Sequence, residues 1–174
     1  METGADFAEL FAEDRDSLII RMQKGNVENI NSARVHGAGV RIFLGNRSVY
    51  VYCNDTSEQS LVNAAKQAAA ALAGSPNVLE IAFHSASYSA HSPIAVDPLA
   101  VGYEPKLALL RKANAAAKGY SERISQVTLN MAEVDQRVLI ANSEGLWGES
   151  RRVRSRLFAF ATASSGAEFQ TGYE

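Results

Sequence analysis

The sequence predicts an α+β fold: two antiparallel β-meander segments, read as a tandem duplication, with Ala-rich helices packed on them. Short runs of alternating apolar and polar residues, separated by turn residues, predict the antiparallel strands. Two Ala-rich stretches with a stripe at helical spacing predict the helices. One hairpin also fixes its own register. Gly39–Leu44 turns through Gly45-Asn46 into Arg47–Cys53, and Gly-Asn suits the positive φ of a two-residue turn. Pairing Leu44 with Arg47 sets Ile42 opposite Val49, Val40 opposite Val51 and Arg41 opposite Tyr50. One face is then core, and the other carries aromatic and charged groups able to stack across strands.

The elements follow in order. Ala8, Leu10 and Ala12 alternate with Phe7, Glu9, Phe11 and Glu13, and Asp14-Arg15-Asp16 predicts a turn. Leu18, Ile20 and Met22 share the next strand face, and Gly25-Asn26 predicts a tight turn before Val27 to Ser32. The hairpin completes this meander. A helix then opens with Thr56 and Gln59 in capping-box spacing and Glu58 near its positive end. Leu61, Ala65, Ala68 and Leu72 form its stripe, and Gly74-Ser75-Pro76 stops it.

Val78 to Phe83 reads as a strand, and Ser85 to Pro98 as a Ser-, Ala- and Pro-rich connection. The second helix opens at Glu104-Pro105, carries Leu107, Leu110, Asn114 and Ala117 on one side, and ends at Gly119. Val127, Leu129 and Met131 then alternate with polar neighbours, and Val138 and Ile140 follow. After a turn at Asn142-Ser143-Glu144-Gly145, a long strand runs from about Arg151 to Ala161. Ser164-Ser165-Gly166 turns into a last strand with Ala167, Phe169 and Thr171. The halves 1–75 and 104–174 repeat this order around a connection at 76–103, within one domain.

Composition narrows the function classes. With 47% hydrophobic residues over 174, the chain can bury a substantial core. Seventeen Lys and Arg against 19 Asp and Glu give a net charge of −2, which offers no general attraction to nucleic acid or anionic lipid. No apolar run is long enough to span a bilayer, and the amino terminus lacks a signal-peptide pattern. The lone Cys53, placed on an apolar strand face, fits a reducing, cytoplasmic setting.

Several stretches resemble the amino-terminal region of the TldD/PmbA family, zinc metallopeptidase subunits historically called modulators of DNA gyrase. Gly4-Ala5-Asp6-Phe7-Ala8-Glu9-Leu10 is similar to the family's opening strand, and Gly37-Ala38-Gly39-Val40-Arg41-Ile42 to its "GxGVRV" strand. Asn54-Asp55, Asp97-Pro98, Lys106-Leu107 with Leu110, and Asn142-Ser143-Glu144-Gly145 recur in order. Gly172-Tyr173-Glu174 resembles the "GYE" that closes this region. The family's first helix, ahead of the Gly-Ala-Asp stretch, is represented here only by Met1-Glu2-Thr3. The family's zinc motif, His-Glu followed three residues later by His, belongs to a carboxy-terminal domain beyond this region. None of His36, His84 and His91 precedes a Glu, so no catalytic residue carries over.

The remaining candidate groups have plain structural readings. His84 and His91 lie among Ser85, Ser87, Ser89 and Ser92, with no carboxylate between Phe83 and Val96 to orient an imidazole. They read as solvated loop residues, and His36 as a half-exposed residue at a strand end. Arg152, Arg154 and Arg156, at i, i+2 and i+4 of a strand, project from one face as a row able to bind carboxylates or phosphates. A solvated sheet face compensated by nearby acids is the competing reading.

The resemblance implies a non-catalytic amino-terminal domain that helps form the peptide-substrate chamber and the dimer interface of a TldD-like metallopeptidase. No cofactor is expected in this chain, zinc being expected in the carboxy-terminal domain. The implied partners are a like or related TldD/PmbA-family subunit and an unfolded peptide, with no membrane and no nucleic acid. The alternatives are a stand-alone peptide or protein interaction module, and a modulator associated with DNA gyrase or nucleic acid.

Overall fold

A computed structural model describes residues 5–72, 82, 84–87 and 93–174. Among these, the strands are β1 (Phe7–Gln23), β2 (Asn26–Leu44), β3 (Arg47–Cys53), β4 (His84–Ser87), β5 (Ile124–Asn142), β6 (Leu146–Ser165) and β7 (Glu168–Tyr173). The helices are α1 (Glu58–Leu72) and α2 (Tyr103–Gly119), with a 3-10 turn at Pro98–Ala100. The strands form one seven-stranded sheet in the order β3-β2-β1-β5-β6-β4, and β7 pairs with β6. The fold is α+β, as the alternation predicts. The chain divides into two compact units. The first comprises Met1–Arg15, Arg34–Ser92 and Gln136–Arg152, and the second comprises Asp16–Ala33, Pro93–Asp135 and Val153–Glu174.

In the first unit the β2–β3 hairpin has the predicted register, from Ala38 opposite Cys53 to Leu44 opposite Arg47. Gly45 takes φ 56° while Asn46 stays negative, the φ pattern of a type II′ turn. Val40 and Ile42 are buried with Ala8 against Ala64, Ala68 and Leu72 of α1. Small residues on that helix stripe let it lie close to the sheet. At the start of α1 the Ser57 hydroxyl accepts from the Ser60 N–H at 3.4 Å, so Ser57 is the cap rather than Thr56. Asp55 steadies this turn by accepting from the Ser57 N–H at 2.9 Å and from the Ser60 hydroxyl at 2.6 Å.

In the second unit Leu18, Ile20 and Met22 of β1 pack with Val127, Leu129 and Met131 of β5 against Leu107 and Leu110 of α2. The two central residues of the β1–β2 turn are Lys24 and Gly25, at φ 52° and 79°. Both are positive, as a type I′ turn requires, so this turn lies one residue earlier than Gly25-Asn26. The β6–β7 hairpin pairs Ser165 with Glu168, which puts Ala167 in the turn rather than the strand.

Other expectations need correction. Asp14-Arg15-Asp16 is not a turn: β1 runs straight through it, and the Arg34 guanidinium of the neighbouring strand clasps the Asp14 carboxylate at 2.8 and 2.9 Å. Val27–Ser32 and the hairpin's first arm are one strand, β2, which places His36 in mid-strand rather than at a strand end. Val138 and Ile140 likewise continue β5, and β6 already begins at Leu146. Part of the predicted connection is strand. β4 pairs in parallel with β6, His84 opposite Leu146 through Ser87 opposite Glu149. Gly74-Ser75-Pro76, Ser89, His91, Ser92 and the strand proposed at Val78 to Phe83, save Ala82, lie outside the described residues.

Candidate functional site

The first unit carries a shallow cavity of about 270 Å³ lined by Glu9, Phe11, Arg41, Tyr50 and Ile140. It crosses the neighbouring strands β3, β2, β1 and β5. The local sequence explains how it is built. Tyr50 stands opposite Arg41 in the hairpin, and the Arg41 guanidinium lies 5.4 Å from the Tyr50 ring centroid. The outer end of that ring rests on Gly39: a Cβ there would come within 2.1 Å of the Tyr50 hydroxyl and 2.4 Å of two ring carbons. Glycine at this position therefore lets the ring lie down on the strand backbone. The side chains of Glu9 and Arg41 form no hydrogen bond and no ion pair within 4 Å among the described residues, and both line the cavity.

A second polar cluster joins β1, β2 and the start of α1. His36 lies with Nδ1 3.7 Å from Asp14 Oδ1 and Nε2 3.1 Å from the Thr56 hydroxyl. The Asp14 carboxyl is held below its usual range, first by the Arg34 hydrogen bond and then by the charges of Arg34, His36 and Arg137, with partial desolvation opposing. The hydrogen bonds from Ser60 and Ser57 lower the Asp55 carboxyl in the same sense.

The second unit holds a group that the sequence reading missed. The Lys106 ammonium of α2 meets the Glu133 carboxylate of β5 at 2.5 Å, with their side chains only 5% and 6% exposed. A signal was present: Glu133 continues the buried alternation of Val127, Leu129 and Met131, and Lys106 lies one turn before Leu110.

Arg152, Arg154 and Arg156 are all exposed on β6. The structure does not gather them into one unit: Arg152 falls in the first, and Arg154 and Arg156 in the second. Arg156 stacks over the Phe158 ring, 3.8 Å from its centroid. Cys53 is half-buried beside the first core, its thiol donating to the Asp55 carbonyl at 3.2 Å. No described helix is long and apolar enough to cross a membrane.

Residues 8–72 match the family model described as PmbA/TldA metallopeptidase domain 1, and residues 96–174 match that of the central domain. The chain belongs to the PmbA/TldD metallopeptidase family. The solved structures agree on the fold of this PmbA/TldD chain. A proposed modulator of a DNA gyrase from Thermotoga maritima superposes with TM-score 0.71 at 17% identity, covering 96% of this chain and 38% of that one. A second proposed modulator of DNA gyrase, from Bacteroides thetaiotaomicron, gives 0.72 at 16%, covering 98% and 40%. TldE from Thermococcus kodakarensis gives 0.68 at 13%, covering 98% and 39%. The chain thus spans about two fifths of the length of these structures. None of the curated proteins compared with it matches.

Metallopeptidase chemistry needs a metal, and the donor groups of this chain are few. Asp14 and His36 are near one another, but the next neighbour is the Arg34 cation. Among the described residues no group of three His, Cys, Asp or Glu side chains is placed to hold a metal ion. These residues do not fit a catalytic zinc, which takes about three protein ligands.

Proposed function

We propose that this chain is the non-catalytic amino-terminal part of a TldD-like zinc metallopeptidase subunit, contributing walls to the peptide chamber and a surface to the subunit interface. The observation that carries this reading is the pair of family matches, metallopeptidase domain 1 over residues 8–72 and the central domain over residues 96–174. Zinc, supplied by a further domain, would polarise the scissile carbonyl and activate water in the complete protein. The complete protein would hydrolyse unfolded or short peptides, working with a like or related family subunit in the cytoplasm.

The names of two structural neighbours favour a second reading, association with DNA gyrase. The net charge of −2 weighs against direct nucleic-acid binding, which draws most of its affinity from phosphate neutralisation. A stand-alone interaction module is the remaining alternative.

Light scattering on the chain alone, and mixed with a PmbA/TldD-family subunit carrying the zinc motif, tests the interface. The proposal expects a defined complex in at least one case. A chain that stays monomeric in both, at concentrations of tens of micromolar, would contradict it.

A further inference from the structure

We propose that the Glu9–Phe11–Arg41–Tyr50–Ile140 cavity is a peptide side-chain subsite. It would take one bulky apolar residue, flanked in the peptide by one acidic and one basic residue. This rests on the chamber reading above and adds to it a recognition preference located outside any zinc domain.

Size is the first argument. Pockets that hold whole small ligands enclose roughly 300–1,000 Å³, and this one encloses about 270 Å³, enough for one large side chain. Shape is the second. Strand neighbours lie about 4.8 Å apart, so the four strands β3, β2, β1 and β5 present a floor of roughly 14 Å, the length of about four extended residues. A bent tripeptide fits across it with its three side chains towards the floor, whereas in an extended one the two flanking side chains would point away.

Chemistry is the third argument. Phe11, Tyr50 and Ile140 supply apolar surface. The Tyr50 ring already lies over the Gly39 backbone, with the Arg41 guanidinium 5.4 Å from its centroid. An aromatic platform already in place loses little side-chain entropy on binding. The two charged lining residues, Glu9 and Arg41, make no ion pair within 4 Å, with each other or with any other described residue. An acidic side chain completes the guanidinium through its planar fork, and a basic one completes the carboxylate.

Isotope-edited NMR of the 174-residue chain tests this, with acetyl-Lys-Phe-Asp-amide and the reversed acetyl-Asp-Phe-Lys-amide as probes. At least one should shift resonances at residues 9, 11, 41, 50 and 140. Its Phe→Ala analogue and an acetyl-Ala-Phe-Ala-amide control should each bind roughly tenfold more weakly, the charged control losing affinity as salt rises. Arg41→Glu should invert the preference, so that Lys-Phe-Lys outcompetes Lys-Phe-Asp. Arg41→Gln, which is uncharged, should remove the preference and serves if Arg41→Glu does not fold. Binding of neither probe, equal binding of all peptides, or shifts elsewhere on the chain would overturn the subsite. The chamber reading would stand or fall separately, on the association experiment.

Discussion

Removing one member of the buried Lys106–Glu133 pair should cost far more than removing both. With both side chains about 95% buried, Lys106→Met leaves the Glu133 carboxylate in an apolar layer with its principal cation gone. Breaking a buried pair from one side costs about 3–5 kcal/mol, against a total stability of about 5–15 kcal/mol for a domain. Glu133→Leu alone should cost a similar amount by stranding the ammonium. The double variant Lys106→Met/Glu133→Leu replaces the pair with apolar groups, and should fall within about 1–2 kcal/mol of the parent or exceed it. Urea unfolding of the four proteins, with m-values compared to confirm two-state behaviour, gives the coupling energy directly. Single losses under about 1 kcal/mol, or singles that simply add in the double variant, would refute the reasoning. Such results would mean that water reaches the pair.

Four further perturbations follow. Gly45→Val should destabilise the first unit by about 1–2 kcal/mol in thermal melts from backbone strain alone, because φ is 56° and nothing lies within 4 Å of a Cβ there. Gly145→Ala should cost more than Gly45→Ala, since it adds to a φ of 93° a contact of 2.6 Å with the Ala82 carbonyl oxygen. Asp14 titrates lower in the folded chain than in the unfolded one, where the value is about 3.9. Its contribution is therefore complete above that range and is lost as pH falls through the folded value, so Asp14→Asn should flatten the acid side of the stability–pH curve. Arg152→Glu with Arg154→Glu should leave the melting curve unchanged, because both side chains are exposed. If β6 faces a partner subunit, the same pair should weaken association in a salt-dependent way.

The hairpin register was legible because Gly45-Asn46 and the alternation on either side agree, and α2 because Pro105 and Gly119 punctuate a clear stripe. The long strands were not legible as single elements. Asp14-Arg15-Asp16 carries turn-like polarity at the middle of β1, and only the cross-strand Arg34 shows that it is an ion-paired stretch of strand. The parity offered a hint: Ala8, Leu10 and Ala12 and then Leu18, Ile20 and Met22 all fall on even positions, so the alternation never breaks phase. β4 has four residues and no alternation, and its parallel pairing to β6 depends on contacts about sixty residues away. The cavity was half legible, since Arg41 opposite Tyr50 follows from register, whereas Glu9 and Ile140 enter through strand order. The Lys106–Glu133 pair was missed because charges within an apolar pattern look like pattern errors until a partner is found.

The central claim, that this chain supplies chamber and interface but not catalysis, is tested most directly by a zinc and peptidase assay on the purified 174-residue chain. Zinc content after incubation and gel filtration, and cleavage of an unfolded peptide with and without chelator, should be measured beside a family protein carrying the His-Glu helix. The account predicts no stoichiometric zinc and no chelator-sensitive cleavage by the chain, with both present in the protein that carries the motif. Chelator-sensitive cleavage that follows the 174-residue species through purification would contradict it.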